Sequence, residues 1–303
     1  MMKLETPVLL LIFNRPFQTM RVFEQIKAQQ PSRLFIAADG PRPGKPGEAS
    51  LCKSTRNEVM NAVDWPCEVK TLFRVENLGC GKAVSSAIGW FFEQVEEGII
   101  LEDDCIPDPT FFSFCTSLLE RYRHNNHVMH IAGSNYQMGL QRGDASYYFS
   151  RFAHIWGWAT WRRAWKYYDF TLQRYKDVSR KGMNRQFLTD IDNIYTNRID
   201  TWDIQWFMSV WFNHGYAIIP NTNLIKNIGY GKEATHTRAT PAWFKKMVYG
   251  SISNIVHPKE ISIDDAADNY SVASLFNPPY LSYMAKKIVR GTPFLYNLYK
   301  RIS

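Results

Sequence analysis

The sequence GIILEDD, residues 98–104, joins an apolar run to three consecutive carboxylates. Its apolar half predicts a short buried strand, and the carboxylates of Glu102, Asp103 and Asp104 follow at the carboxyl end of that strand. Ligands of open α/β sheets bind beyond the carboxyl ends of the strands, and carboxylates are hard oxygen donors for Mg²⁺ or Mn²⁺. A bound ion can neutralise a diphosphate, so the stretch predicts a metal-dependent enzyme acting on a nucleotide. The alternative is a solvated acidic turn.

The sequence before this run alternates buried strands with helices. Apolar segments predict three further strands, at residues 7–13, 33–38 and 69–75. Pro16 marks the beginning of the first helix, and the next two helices are expected at residues 49–63 and 83–95. Successive βα units of this kind form a mostly parallel sheet with helices on both faces. We therefore predict an α/β, Rossmann-like fold.

The sequence after this run is less regular and richer in aromatic residues. Residues 130–133 predict another strand, and no linker separates this region from the first. Trp158, Trp161 and Trp165 have the spacing of one helix face, which favours a core stripe, although sugar rings also stack on indoles. We interpret this half as an aromatic-rich, acceptor-binding elaboration of the same sheet.

Length and composition are those of a globular protein. The 303 residues are 45% hydrophobic, and their net charge of +8 favours anionic partners such as nucleotides, nucleic acids or acidic membrane surfaces. Five cysteines without metal-site spacing predict free thiols in a reducing compartment, and we expect a cytoplasmic protein. The basic, amphipathic stretch 280–303 could lie on the inner face of an anionic membrane or dock on its own domain.

Polar residues also follow the first two strands. Asn14 and Arg15 come after the first strand, and Asp39 with Gly40 comes after the second. Singly, each is typical of a turn. Because the carboxyl ends of parallel strands meet at one edge of the sheet, these residues and the acidic run together describe a nucleotide pocket.

A glycine-rich turn precedes the third helix. In residues 79–82, glycines would let backbone N–H groups approach a phosphate, and Lys82 would add a positive charge. A Walker loop is excluded, because Glu76 stands where its first glycine would be and Ala83 where it needs Ser or Thr. Two interpretations remain, a phosphate contact and an ordinary strand-to-helix connection.

Asp203, beside Trp202, is a candidate general base. A carboxylate flanked by indoles is partly removed from water and can accept a proton from a substrate hydroxyl. The alternative is an aspartate that stabilises a helix N-terminus. His236, in a polar loop, is either a further metal ligand or a surface histidine.

In this order and spacing, the residues resemble the GT-A fold nucleotide-sugar glycosyltransferases, most closely the N-acetylglucosaminyltransferase I type. The resemblance covers about residues 7–231, and residues 100–104 look like the DXD-like metal motif of that group. It rests on four elements, Phe13-Asn14-Arg15, Asp39-Gly40, Glu102-Asp103-Asp104 and Trp202-Asp203. One departure is the sequence Trp202-Asp203-Ile204-Gln205-Trp206, which has one acid fewer than the family pattern and one residue more.

The resemblance implies a role for each matched residue. Asp104 would bind Mn²⁺ or Mg²⁺ under the diphosphate, Asp103 would contact the ribose, and Glu102 would face the donor sugar. Asp203 would be the catalytic base. Arg15 and Asp39 would hold the base of the nucleotide, and Gly157 with Trp158 would line the sugar pocket. The other predicted substrate-binding residues are Asn14, Gly40, Lys82 and Trp202.

The implied function is inverting transfer of a hexosyl or N-acetylhexosaminyl group. The donor would be a nucleoside-diphosphate sugar, with UDP favoured, and the acceptor a glycan or lipid-linked hydroxyl in surface polysaccharide synthesis; no nucleic-acid partner is expected. Residues 1–105 would form the donor half, residues 106–235 the acceptor and catalytic half, and residues 236–303 a basic, partly helical extension.

Two other functions fit parts of the sequence. A sugar-nucleotide pyrophosphorylase also uses a parallel sheet, Mg²⁺ and acidic ligands, but it would normally have a glycine-rich, arginine-containing first loop where this chain has residues 13–16, FNRP. A non-catalytic carbohydrate or nucleic-acid binding protein would use the tryptophans and the positive charge.

Overall fold

The structure is a computed structural model that describes residues 3–230, 241 and 243–276. His236 and the stretch 280–303 lie outside the described residues. The strands are β1 (Val8–Ile12), β2 (Arg33–Ala38), β3 (Glu68–Phe73), β4 (Glu97–Glu102), β5 (Cys105–Pro107), β6 (Val128–Ala132), β7 (Tyr147–Ser150), β8 (Trp158–Trp161), β9 (Tyr216–Pro220) and β10 (Ile225–Asn227). The α-helices are α1 (Pro16–Gln29), α2 (Glu48–Ala62), α3 (Cys80–Phe92), α4 (Pro109–Arg121), α5 (Arg162–Trp165), α6 (Arg185–Tyr195), α7 (Asp203–Phe212) and α8 (Asp265–Ser271).

Eight strands form one central sheet in the order β3-β2-β1-β4-β8-β6-β9-β7. Strands β1 to β4, β6 and β9 run in the same direction, and β8 and β7 run against them. The predicted fold class, a mostly parallel α/β sheet flanked by helices, is confirmed. A second, two-stranded sheet pairs β5 with β10 in antiparallel register.

Strand β1 is buried along its whole length, as expected of a strand covered on both faces. Its alternate side chains enter two separate cores. Helices α1, α2 and α4 cover one face of the sheet, and α3, α6 and α7 cover the other. Because β1 and β4 are neighbours in parallel register, their carboxyl ends lie side by side.

The first three βα units follow the sequence prediction closely. Helix α1 begins at Pro16, whose missing N–H costs nothing at the first helical position. It ends at Gln29 and is followed by Gln30, which adopts the left-handed conformation with a φ of 49°. The five cysteines are free thiols, as predicted. No helix in the described part of the chain is both long and apolar enough to cross a bilayer.

Trp158, Trp161 and Trp165 are buried, but they do not form a helical stripe. Trp158 and Trp161 lie on strand β8, where a spacing of three places them on opposite faces, so each enters a different core. Trp165 ends the short helix α5. The prediction that these tryptophans lie in the core is confirmed. The prediction that they share one helix face is wrong, because the same spacing arises where a strand is followed by a helical turn.

A buried histidine connects this aromatic core to the sheet. His130 on β6 accepts a hydrogen bond at Nδ1 from the Trp206 indole N–H over 3.1 Å, and its Nε2 lies 2.9 Å from the backbone oxygen of His154. The ring is therefore neutral, with its proton on Nε2. Burial lowers the pKa of His130 to about 4.

We expect stability to fall in acid because of His130. Below pH 6.5 the unfolded chain binds a proton on this histidine, whereas the folded chain does so only near pH 4. Between pH 7 and pH 5 the histidine should lower the free energy of unfolding by about 2 kcal/mol. The free energy of unfolding of wild type, measured by urea denaturation at the two pH values, should show that loss. The corresponding loss in His130→Gln should be smaller by the same amount. The exposed His124→Gln is the control, and an equal loss in wild type and His130→Gln would contradict the prediction.

Candidate active site

A cleft of about 690 Å³ opens at the carboxyl ends of β1, β2 and β4. The first half of the chain contributes most of the residues that line the cleft. The second half contributes the N-terminus of α7 and the segment after β10. The structure brings together most of the predicted site residues there, namely Asn14, Arg15, Asp39, Glu102, Asp103, Asp104, Trp202 and Asp203.

Four predicted residues are not in the lining of this cleft. Gly40 and Gly157 are buried, and Lys82 is an exposed residue on α3. Trp158 has no exposed surface and stacks on Trp202 in the core at 5.8 Å between ring centroids. The predicted contact between Trp158 and the donor sugar is therefore wrong, because the Trp158 side chain lies in the core behind the residues that line the cleft. Its neighbour Trp156 lines the cleft instead.

Arg15 neutralises part of the acidic cluster. Its Nη1 lies 3.3 Å from Asp104 Oδ2 and 4.0 Å from Asp103 Oδ1, and the three side chains are 14%, 21% and 13% exposed, respectively. Removal from water, and then the neighbouring charge of Asp104, raise the pKa of Asp103 to about 7. The pKa of Glu102 is raised well above its usual range by burial, and further by the charges of Asp104, Asp103 and Asp203.

The donor set fits a divalent cation held together with a nucleotide. Within the described residues, no three His, Cys, Asp or Glu side chains form a group able to hold a metal by themselves. Mg²⁺ needs only one or two carboxylates when phosphate and water oxygens complete its shell. Burial, and then the neighbouring carboxylates, raise the pKa of Asp103 and Glu102, and a cation bound beside them would favour their charged forms.

Strand β10 supports the cluster from the second half of the chain. The backbone N–H of Ile228 donates to the Asp104 carbonyl over 2.8 Å, and Asn227 Nδ2 lies 3.4 Å from Asp104 Oδ1. Gly229 packs so closely on Asp104 that a Cβ at this position would overlap the carboxylate. Sequence reasoning missed these contacts, because they join residues more than 120 positions apart.

We expect Gly229→Ala to weaken metal-dependent nucleotide binding. The added methyl group would displace the Asp104 carboxylate, and a change in a residue that orients a ligand costs about 10- to 100-fold in metal affinity. Titration calorimetry of UDP in the presence of Mn²⁺ measures the loss. Gly89→Ala is the matched control, since a Cβ there meets its nearest atom only at 4.0 Å. Unchanged binding in Gly229→Ala would show that Asp104 tolerates the displacement.

Asp39 holds the glycine-rich turn in place. Its Oδ1 accepts hydrogen bonds from the N–H groups of Gly40 and Leu78, both over 3.0 Å. Its Oδ2 accepts from Gly79 N–H over 3.1 Å and from the Asn77 side chain over 2.9 Å. The carboxylate lies in the cleft as predicted, but the turn occupies both of its oxygens, so the geometry favours positioning over direct nucleotide contact.

The other end of the turn contacts a second carboxylate of the chain. Gly81 N–H donates to Asp200 Oδ1 over 2.9 Å. Of the two interpretations of residues 79–82, the structure thus supports the strand-to-helix connection. The N–H groups of its two glycines already donate to carboxylates of the chain, Gly79 to Asp39 and Gly81 to Asp200.

Asp203 is the first residue of helix α7, which the alternative interpretation predicted. Its Oδ1 accepts from Ile204 N–H over 2.9 Å and from the Thr201 hydroxyl. No donor among the described residues contacts its Oδ2. Asp203 lines the same cleft as the acidic cluster, and its charge is one of several that add to the effect of burial in raising the pKa of Glu102.

Several lining residues were not predicted. Arg42 and Arg74 bring positive charge to the end of the cleft near Asp39, and Arg42 pairs with Glu48. Trp156 and Tyr230 also line the cleft and are in edge-to-face contact at 5.7 Å between ring centroids. The excess of arginine and tryptophan is visible in the composition, but their positions in the cleft depend on loops without a sequence signature.

Comparison with known proteins finds similarity in structure alone. No protein-family model and no curated protein matches the sequence. A UDP-glucose pyrophosphorylase complexed with UDP-glucose is 11% identical, with 74% of this chain and 91% of that chain covered and a TM-score of 0.40. A cytidylyltransferase from Leptospira borgpetersenii is 10% identical, with 65% and 74% covered and a TM-score of 0.35. The inositol-1-phosphate CTP transferase from T. maritima is 8% identical, with 82% and 96% covered and a TM-score of 0.36.

By their names these three proteins correspond to the pyrophosphorylase alternative better than to the glycosyltransferase prediction. With identities of 8–11% and TM-scores of 0.35–0.40, they carry no argument about the activity of this chain. The activity has to be argued from the cleft itself.

Proposed function

We propose that this chain is a metal-dependent, inverting glycosyltransferase. It would move a sugar from a nucleoside-diphosphate sugar, with UDP favoured, to a hydroxyl of a glycan or lipid-linked acceptor in surface polysaccharide synthesis. The observation that carries the proposal is that Asp203, whose Oδ2 accepts no hydrogen bond from the described residues, lines the same cleft as Glu102, Asp103 and Asp104. A donor site and a base facing it are the two parts that glycosyl transfer needs.

Different residues of the cleft would bind the donor and accept the proton in such a reaction. Asp104 would hold the diphosphate end of the donor through a divalent cation, Asp103 would contact the ribose, and the bound cation would stabilise the leaving nucleoside diphosphate. Asp203 Oδ2 would take the proton of the acceptor hydroxyl, while its Oδ1 stays bound to Thr201 and Ile204. The acceptor oxygen would then bond to the anomeric carbon as the bond to the diphosphate breaks on the opposite face, which inverts the configuration.

The pyrophosphorylase alternative is a second candidate that the acidic cluster also fits. Such an enzyme binds a triphosphate, and triphosphates are commonly held by glycine-rich loops that offer several backbone N–H groups. Here β1 and α1 are joined by three residues, Phe13, Asn14 and Arg15, none of which is glycine. The Asn14 amide already donates to Glu48 over 3.0 Å. This short loop favours glycosyl transfer over pyrophosphorolysis.

One experiment separates these functions. The protein is incubated with UDP-glucose, UDP-galactose or UDP-N-acetylglucosamine and Mn²⁺, with and without pyrophosphate, and the nucleotides are separated by chromatography. Release of UDP without pyrophosphate, increased by a glycoside acceptor, supports the glycosyltransferase. Formation of UTP that requires pyrophosphate would establish the pyrophosphorylase instead. Binding of UDP without turnover of any nucleotide-sugar would indicate a non-catalytic binding protein.

A further inference from the structure

Asp200 connects the two halves of the cleft. It lies at the exposed rim, three residues before Asp203, and its carboxylate accepts a hydrogen bond from Gly81 at the N-terminus of α3. Helix α3 belongs to the first half of the chain, and Asp203 belongs to the second. The contact spans 119 residues in sequence.

The two glycines of the turn make room for this carboxylate. A Cβ at Gly79 would lie 2.5 Å from Asp200 Oδ2, and a Cβ at Gly81 would lie 2.6 Å from Asp200 Oδ1. Gly79 also has a φ of 80°, a conformation that other residues rarely adopt. The glycine-rich turn is thus shaped to hold Asp200, and the positive end of the α3 dipole favours a carboxylate there.

The segment that carries Asp203 is also bound within the second half, and its Thr201 carbonyl packs on Gly81 beside the Asp200 contact. Gln205 Nε2 donates to the Thr201 carbonyl over 2.8 Å, and the Tyr168 hydroxyl donates to the Trp202 carbonyl over 3.2 Å. Residues 196–200 are exposed, so burial contributes little to the position of this stretch. The Asp200 contact is therefore well placed to set the distance between the start of α7 and the first half.

We propose that Asp200 is a positioning residue that locks the Asp203 carboxylate at a fixed distance from the acidic cluster. Its carboxylate holds the start of α7 against the glycine-rich turn, and Asp39 holds the same turn against the end of β2. Proton acceptance by Asp203 depends on a separation that a shift of about 1 Å would spoil, at a cost near 100-fold in rate. This proposal rests on the proposed function of the cleft.

The test compares variants on both sides of the contact. Asp200→Ala should lower kcat for turnover of UDP-N-acetylglucosamine with Mn²⁺ by about 10- to 100-fold, with the Kd for UDP within about twofold of wild type. Asp200→Asn should recover most of the loss, because its amide oxygen still accepts the Gly81 N–H. Gly81→Ala should resemble Asp200→Ala, and the double variant should be no slower than the slower single variant.

Asp264→Ala is the matched control, since Asp264 also caps a helix by accepting from Ala267 N–H over 2.8 Å, in α8, away from the cleft. Wild-type kcat in Asp200→Ala would overturn the proposal, as would an Asp200→Asn variant as slow as Asp200→Ala.

Hydrogen exchange of residues 79–83 and 198–206 separates this proposal from the proposed function. If the wild type binds UDP but turns over no nucleotide-sugar, the proposed function fails. Faster exchange in both segments of Asp200→Ala would then still support the contact, whereas unchanged exchange would overturn it too.

Discussion

Asp104→Asn is expected to abolish metal-dependent binding of UDP and, with it, turnover of the nucleotide-sugar. Asn keeps the shape of the side chain but replaces a charged oxygen with an amide nitrogen that cannot bind a cation. The leaving diphosphate would lose its counter-charge, and we expect kcat/KM to fall by about 1,000-fold or more, the upper range for removal of one group that stabilises developing charge. Titration calorimetry of UDP with Mn²⁺ and steady-state kinetics measure the two effects.

The stability of the same variant excludes unfolding as the cause. Asp104 raises the pKa of both Glu102 and Asp103, so the three carboxylates repel one another in the folded state. Removal of one charge should leave the Tm of Asp104→Asn equal to that of wild type or higher. Asp64→Asn is the control, because Asp64 pairs with Lys27 on the surface over 2.7 Å. If Asp104→Asn binds UDP and Mn²⁺ with wild-type affinity, Asp104 does not bind the metal.

The first half of the fold is predictable because its signals are local. Arg33–Ala38 is predicted to the residue, since a buried parallel strand is a continuous apolar run that ends at Asp39. Pro16 fixes the start of α1 by its own backbone chemistry. The acidic run is equally local, because a strand end and its carboxylates are contiguous in sequence.

The second half is less predictable because its geometry depends on contacts distant in sequence. The spacing of Trp158, Trp161 and Trp165 is compatible with a helix face and with a strand that joins a helical turn, and tertiary structure decides between them. Nothing adjacent to Asp200 or Gly229 in the sequence shows that each packs on the other half of the cleft. Residues that hold a site in shape are therefore found from structure, even where the site itself is predicted.

Asp203→Asn is expected to separate donor binding from transfer. The amide oxygen of Asn can still accept from Ile204 N–H and Thr201, so the start of α7 should keep its position. The side chain can no longer take a proton at the position of Oδ2, and kcat should fall by about 100- to 10,000-fold. The Kd for UDP and Mn²⁺ should stay within about twofold of wild type, because Asp104 and its neighbours, rather than Asp203, would bind the donor.

Asp203→Glu provides the matched control for this result. It keeps a proton-accepting carboxylate but moves it by one methylene, so its kcat should lie between those of wild type and Asp203→Asn. Normal sugar transfer by Asp203→Asn would remove Asp203 as the base. A pyrophosphorylase needs no base for an acceptor hydroxyl, because pyrophosphate is already an anionic nucleophile. A large loss in kcat at constant donor affinity therefore favours a glycosyltransferase, and equal rates in all three proteins would favour the pyrophosphorylase.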